Sequence, residues 1–198
     1  GLEVVCFQTG VSEMMFGLMR SFSWLLILGA FMIVSVMFST LAASRGSLAK
    51  QYVGLAGYTV SFGLLLSGLV YQAWVYFSPD LVRQAAIYTL VAFAALTAIV
   101  YYTRKDFSFL RPVVMYGGFI ALGLIVLSAI FGFTLGLGFM SAMVLWCGGS
   151  ILYSTSAILR EYPDDAAVAG ALALFASIVT MFWYILQILM SIEANRAR

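Results

Sequence analysis

The chain alternates between long apolar stretches and short clusters of charge. Uncharged runs occupy 21–44 (24 residues), 51–79 (29), 84–103 (20), 112–159 (48) and 166–192 (27), together 148 of the 198 positions. A hydrocarbon core about 30 Å thick requires about 20 apolar residues per spanning helix, because each backbone polar group inside it must pair within its own segment. Four runs suit one span each, and the longest suits two. They lack the apolar–polar alternation of a porin strand, which excludes a transmembrane β-barrel. The pattern predicts helix A at 22–43, B at 51–75, C at 84–103, D at 112–132, E at 137–159 and F at 166–192, with Gly132, Gly136 and Gly138 marking the turn between D and E. The expected fold is an all-α polytopic transmembrane helical bundle over 21–192, followed by a short polar tail at 193–198.

Composition narrows the function classes. Hydrophobic residues make up 64% and charged residues 9%, against roughly 45–50% and 25% in an ordinary globular protein. The absence of histidine removes His-based metal sites, triads and imidazole switches. Cys6 and Cys147 are too few for a disulfide framework. A net charge of +2 scattered over loops gives no nucleic-acid footprint. No Gly-rich phosphate loop and no nucleophile elbow is present. The expectation is a non-enzymatic protein without a cofactor, whose first partner is the lipid bilayer.

Charge and aromatic placement set the topology. Tyr52, Trp74, Tyr76, Tyr101, Tyr102, Trp183 and Tyr184 fall toward segment ends, where amphipathic rings favour the headgroup layer. Loops A–B, C–D and E–F carry six cations, Arg45, Lys50, Arg104, Lys105, Arg111 and Arg160. The opposite side carries four, Arg20, Arg83, Arg196 and Arg198. That bias predicts the first group in the cytoplasm and the C-terminus outside it. Within 1–20, Leu2–Phe7 reads as the tail of an apolar first helix whose earlier part is absent. Beyond Gly10, the stripe Met14, Met15, Leu18 and Met19 reads as a short helix lying on the membrane surface.

None of the six spans has an ionisable residue in its interior, whereas proton and ion pathways usually keep one. The interior polar groups are neutral, among them Thr59, Ser61, Ser67, Thr97, Ser128, Ser150, Ser154, Thr155, Ser177 and Thr180. Such hydroxyls hold helices by bonding to a carbonyl one turn back or to a neighbour. The small-residue pairs Gly132/Gly136, Gly117/Ala121 and Ala166/Gly170 read as helix-packing surfaces. Acids are candidates at two places. Glu161, Asp164 and Asp165 could ligate Ca²⁺ through carboxylate oxygens, or Asp164 and Asp165 could cap helix F after Pro163. Glu3 would be an intramembrane acid if 1–8 end a longer helix, or would reach the headgroups from the helix end.

Specific strings add a family. Thr103-Arg104-Lys105-Asp106-Phe107-Ser108-Phe109-Leu110 resembles the signature loop of the Bax inhibitor-1 family, and is most similar to the bacterial YccA-like branch. Gly149-Ser150-Ile151-Leu152-Tyr153-Ser154-Thr155-Ser156 and Ala171-Leu172-Ala173-Leu174-Phe175 resemble the paired motifs of that family's last two helices. The resemblance extends from about Trp24 to Ile192. It implies a seven-helix fold with a cytoplasmic N-terminus, and the bacterial likeness favours a bacterial inner membrane over an organellar one. It also implies a pH-sensitive Ca²⁺ leak or association with the membrane-bound AAA protease FtsH. In leak-competent members two aspartates form a proton-sharing latch, a sound device because neighbouring carboxylates cannot both ionise cheaply. By the resemblance those positions are Ser154 and Ser177 here, and a serine hydroxyl does not titrate near neutral pH. The expected function is a modulator or partner in membrane-protein quality control or stress response. The alternatives are a pH-sensitive Ca²⁺ leak channel and an accessory subunit of a larger membrane complex.

Overall fold

A computed structural model of the chain describes residues 2–20, 24–44, 47–160 and 167–196. Among them all regular structure is helical: α1 (Leu2–Gln8), α2 (Val11–Arg20), α3 (Trp24–Ala42), α4 (Leu48–Tyr76), α5 (Pro79–Thr103), a 3-10 turn (Ser108–Leu110), α6 (Arg111–Phe131), α7 (Leu137–Arg160) and α8 (Ala167–Arg196). Helices α4 to α8, with the turn before α6, are five elements long and apolar enough to cross a membrane. The expected helix A is α3, whose described apolar stretch is the shorter Gly29–Ala42.

The helices overrun the uncharged stretches at several ends. Helix α4 starts at Leu48 because Ser47 caps it, its hydroxyl accepting from the Lys50 amide at 3.5 Å. Helix α5 starts at Pro79, whose fixed φ suits a first helical turn, and the Ser78 hydroxyl accepts from the Asp80 amide at 3.2 Å. Helix α8 continues through Glu193, whose carboxylate meets Arg196 at 3.9 Å one turn on. Charge ends an apolar run, but it does not end a helix.

The chain divides into two compact units, Gly1–Val82 with Asp164–Leu172, and Arg83–Pro163 with Ala173–Arg198. In the first, α1, α2 and α3 all pack on α4. Backbone meets backbone at Gly54 of α4, where an added Cβ would lie 2.6 Å from the Phe38 carbonyl oxygen and 2.8 Å from Ala42 Cα. One turn on, a Cβ at Gly57 would fall on the Phe38 ring. Phe7 and Phe16 stack around Tyr71, with centroids 5.5 and 5.9 Å away.

Helix α2, which carries the methionine stripe of the sequence analysis, packs on α4. Its packed side carries the buried Ser12 together with Phe16, while Met14 is exposed. Aromatic contacts to Tyr71 and Tyr76 of α4 set which side turns inward.

In the second unit α7 presents a stripe at helical spacing: Met143, Cys147, Ser150, Ile151 and Ser154 are all buried. Cys147 and Ile151 pack with Met181 of α8 and with Ala92, Phe93 and Leu96 of α5. Met143 meets Ala121 of α6 and Tyr184 of α8. The Trp146 indole lies over Gly117 and Gly118, and its Nε1 donates to the Val114 carbonyl at 3.1 Å. Gly117 and Ala121 are therefore a packing seam.

Gly132 and Gly136 are not such a seam. Gly132 takes the left-handed conformation (φ 71) that ends α6, its amide donating to Ser128 at 2.9 Å, and Gly136 accepts from Phe139 at 3.1 Å as α7 starts. A Cβ at either would meet nothing within 4 Å. Their GxxxG spacing reflects a turn, where a residue of positive φ is needed. Ala166 of the third small pair lies outside the described residues. Elsewhere α6 is apolar outward: Phe119, Ile120, Ile130 and Phe131 are exposed, as lipid-facing positions are.

Candidate functional site

Two features of the second unit bring together the residues singled out by the sequence. One is a polar seam on α7, where Ser150, Ser154, Thr155 and Ser156 are all buried. The other is the loop 104–107 between α5 and the 3-10 turn.

Within the seam, the Ser150 and Ser177 hydroxyl oxygens lie 2.8 Å apart. Ser177 Oγ also lies 2.9 Å from the Ala173 carbonyl, which can only accept. A serine has one proton to give, so Ser177 donates to Ala173 and Ser150 donates to Ser177. The contact is a directed chain running from α7 through Ser177 to the α8 backbone. The hydroxyl facing Ser177 is thus that of Ser150, one turn before Ser154, which is itself buried on the same stripe. Positions 150 and 154 share a helix face, so the register between α7 and α8 decides which of them reaches Ser177.

Most other span hydroxyls bond within their own helix. Thr59 donates to Leu55 at 2.8 Å, Ser61 to Gly57 at 2.7 Å, Thr89 to Ala85 at 2.7 Å and Thr180 to Ala176 at 2.7 Å. They satisfy themselves on backbone carbonyls and leave the helix contacts to packing. Cys147 is a buried free thiol.

At the loop, α5 ends in an unusual way. Arg104 adopts a positive φ of 49 without being glycine, a conformation costing on the order of 1 kcal/mol. Its amide still closes the helix on Val100 at 2.9 Å, and its carbonyl accepts from the Arg160 guanidinium at the end of α7. A second tie follows, the Phe107 amide donating to the Ser156 hydroxyl at 3.2 Å. The signature loop is thus fastened at two points to the last turn of α7.

Asp106 organises the loop locally. Its Oδ1 accepts from the Ser108 amide at 2.8 Å and the Ser108 hydroxyl at 2.6 Å. These bonds, aided by the nearby positive charge of Arg160, hold its carboxyl below the ordinary carboxylate range. A depressed pKa adds stability that is present above the unfolded value of about 3.9 and is lost as pH falls through the folded value. Asp106→Asn is therefore expected to loosen the loop at neutral pH and to match the wild type in acid. Amide hydrogen exchange at Phe107 and Ser108 reads this directly, and equal protection in both proteins at neutral pH would contradict it.

Arg104, Lys105 and Arg160 line one pocket of about 300 Å³ with Tyr101, Ser156 and Leu159. Sequence reasoning used Arg160 only to orient the chain and did not connect it with Arg104. Its place in the last turn of a helix was the available signal. Glu161, Asp164 and Asp165 lie outside the described residues, so neither the Ca²⁺ nor the capping reading applies to a described side chain. For Glu3 only the backbone, within α1, is described. Among the described residues no group of His, Cys, Asp and Glu is arranged to hold a metal ion.

Comparison with known sequences places this architecture. The family described as "Inhibitor of apoptosis-promoting Bax1" matches residues 2–194. The chain belongs to the Bax inhibitor-1 family. Among its relatives, Bax inhibitor 1 of Schizosaccharomyces pombe is 31% identical over 181 residues, covering 87% of this chain and 64% of the relative. The Golgi anti-apoptotic protein of Vaccinia virus (strain Lister) is 30% identical over 142 residues, 68% of this chain and 56% of the relative. An uncharacterized Pseudomonas aeruginosa protein is 35% identical over 110 residues, 55% of this chain and 49% of the relative. The chain thus spans about half to two thirds of the length of these family members. It is an integral membrane protein of the Bax inhibitor-1 family.

Proposed function

We propose that this Bax inhibitor-1 family chain acts without catalysis, as a modulator or partner in membrane-protein quality control or stress response. In this reading it is of the bacterial YccA-like type, in an inner membrane, with loops A–B, C–D and E–F in the cytoplasm and the C-terminus outside. The observation that supports it most is the hydroxyl chain from Ser150 through Ser177 to Ala173. A pH-gated leak needs a contact whose charge changes with pH, and two hydroxyls give a contact that does not change. The relatives' names point the same way, since one is called an inhibitor and another anti-apoptotic, and neither is named for a reaction.

The test has two arms. In proteoliposomes at about pH 6 and about pH 8, which bracket the range where a raised carboxylate would titrate, Ca²⁺ flux should stay at the protein-free level. Co-reconstituted with the protease FtsH, the protein should slow degradation of a membrane substrate. Wild-type flux that changes with pH would overturn the proposal in favour of a leak channel. An unchanged degradation rate would overturn the quality-control role.

A further inference from the structure

We propose that the pocket between the last turns of α5 and α7 binds the phosphate of an anionic phospholipid headgroup. Three cationic side chains, Arg104, Lys105 and Arg160, line this one pocket of about 300 Å³, and the Ser156 hydroxyl adds a polar group. Among the described residues, no carboxylate lines it. The nearest acid on the loop, Asp106, turns its Oδ1 back onto Ser108.

A purely structural role accounts for only part of this charge. Cations at helix C-termini offset the helix dipole, and Arg160 does so by donating to the Arg104 carbonyl. That uses one of five guanidinium N–H groups. The side chains of Arg104 and Lys105 make no hydrogen bond or ion pair to any described residue, and both are exposed. Arg104 moreover takes a positive φ, and its carbonyl accepts from Arg160 across the pocket.

The rest of the wall suits an amphiphile. Leu159 and Val100 give it an apolar side, and Tyr101 stands at its edge, 62% exposed. Both helices are long enough to span a membrane, and the pocket lies at their ends, where headgroups meet acyl chains. Basic pockets between membrane helices are a recognised form of headgroup site. A free phosphate offers the same oxygens but has no use for the apolar wall, so the lipid is the better fit.

The experiment uses the whole chain in nanodiscs of phosphatidylcholine containing phosphatidylglycerol, with bound lipid read by native mass spectrometry. Arg104→Gln/Lys105→Gln should weaken phosphatidylglycerol retention about twenty-five-fold, each cation contributing about a factor of five. Lys50→Gln/Arg111→Gln removes two exposed cations outside the pocket and should change retention less than three-fold, taken as roughly half of one such cation's effect. Unchanged helicity and melting in both variants keep the comparison about binding. Equal loss in the two variants would reduce the effect to general surface charge and overturn the proposal, as would no loss in either. Displacement of phosphatidylglycerol by inorganic phosphate alone would overturn the lipid as the ligand.

Discussion

Gly54→Ala should destabilise the protein by about 1–3 kcal/mol, the usual range for forcing one methyl into a packed contact. The methyl would meet the backbone of α3, 2.6 Å from the Phe38 carbonyl oxygen and 2.8 Å from Ala42 Cα. Real Cβ atoms do not approach backbone so closely, and a backbone cannot swing aside as a side chain can. Helix α3 would have to move away from α4, with loss of the packing that drives association where lipid removes the hydrophobic term. The same substitution at Gly123 of α6 meets nothing within 4 Å. There it should raise stability by up to about 1 kcal/mol, because alanine favours the helix over glycine. Thermal melting of the detergent-solubilised variants gives the comparison. A Gly54→Ala protein as stable as Gly123→Ala would mean that α3 and α4 do not approach at Gly54.

Ser150→Asp/Ser177→Asp should convert a pH-independent contact into a pH-dependent one. The two oxygens now lie 2.8 Å apart between buried side chains. Carboxylates brought that close cannot both ionise cheaply, and burial disfavours the charged form of each, so the pair titrates as a unit with at least one value raised. The sign follows from linkage. With the folded value above the unfolded value of about 3.9, the variant is most stable below about pH 4 and loses stability as pH rises to the raised value. The loss is about 1.4 kcal/mol for each unit of elevation. Melting midpoints at about pH 4 and about pH 8 should therefore separate in the double variant by more than in the wild type. A uniform drop at both pH values would show that the two side chains do not share a site. Ca²⁺ flux from this variant, set against a silent wild type, would mark the scaffold as a channel that lacks only its titrating pair.

The membrane-spanning fold was legible along the chain because its constraint is local. Hydrocarbon thickness sets helix length, and each span satisfies its own backbone bonds, so no neighbour is needed to place it. Helices α6 and α7 lie within one residue of their expected bounds for that reason. The ends that moved are those where capping by Ser47 or Ser78, or an i,i+3 pair at Glu193, outweighed the count of uncharged residues. The signature loop was also visible, since its charges interrupt two apolar runs.

What the loop and the seam touch was not legible. Gly132 and Gly136 carry the spacing of a packing motif but serve a turn, because spacing does not record φ. Met14 lies on an apolar stripe yet stays exposed, the aromatic contact of Phe16 with Tyr71 having fixed the roll of α2.

The sequence by itself determined the class of molecule, the places where helices run, the neutral character of their interiors and the cationic loop. The tertiary structure alone decided that Ser150 reaches Ser177, that Arg160 and Ser156 fasten the loop at Arg104 and Phe107, and that α3 meets α4 at Gly54. The physical reason is that most faces of these helices are apolar. Lipid and protein then look alike to a sequence pattern, and partners are chosen by shape and register between helices.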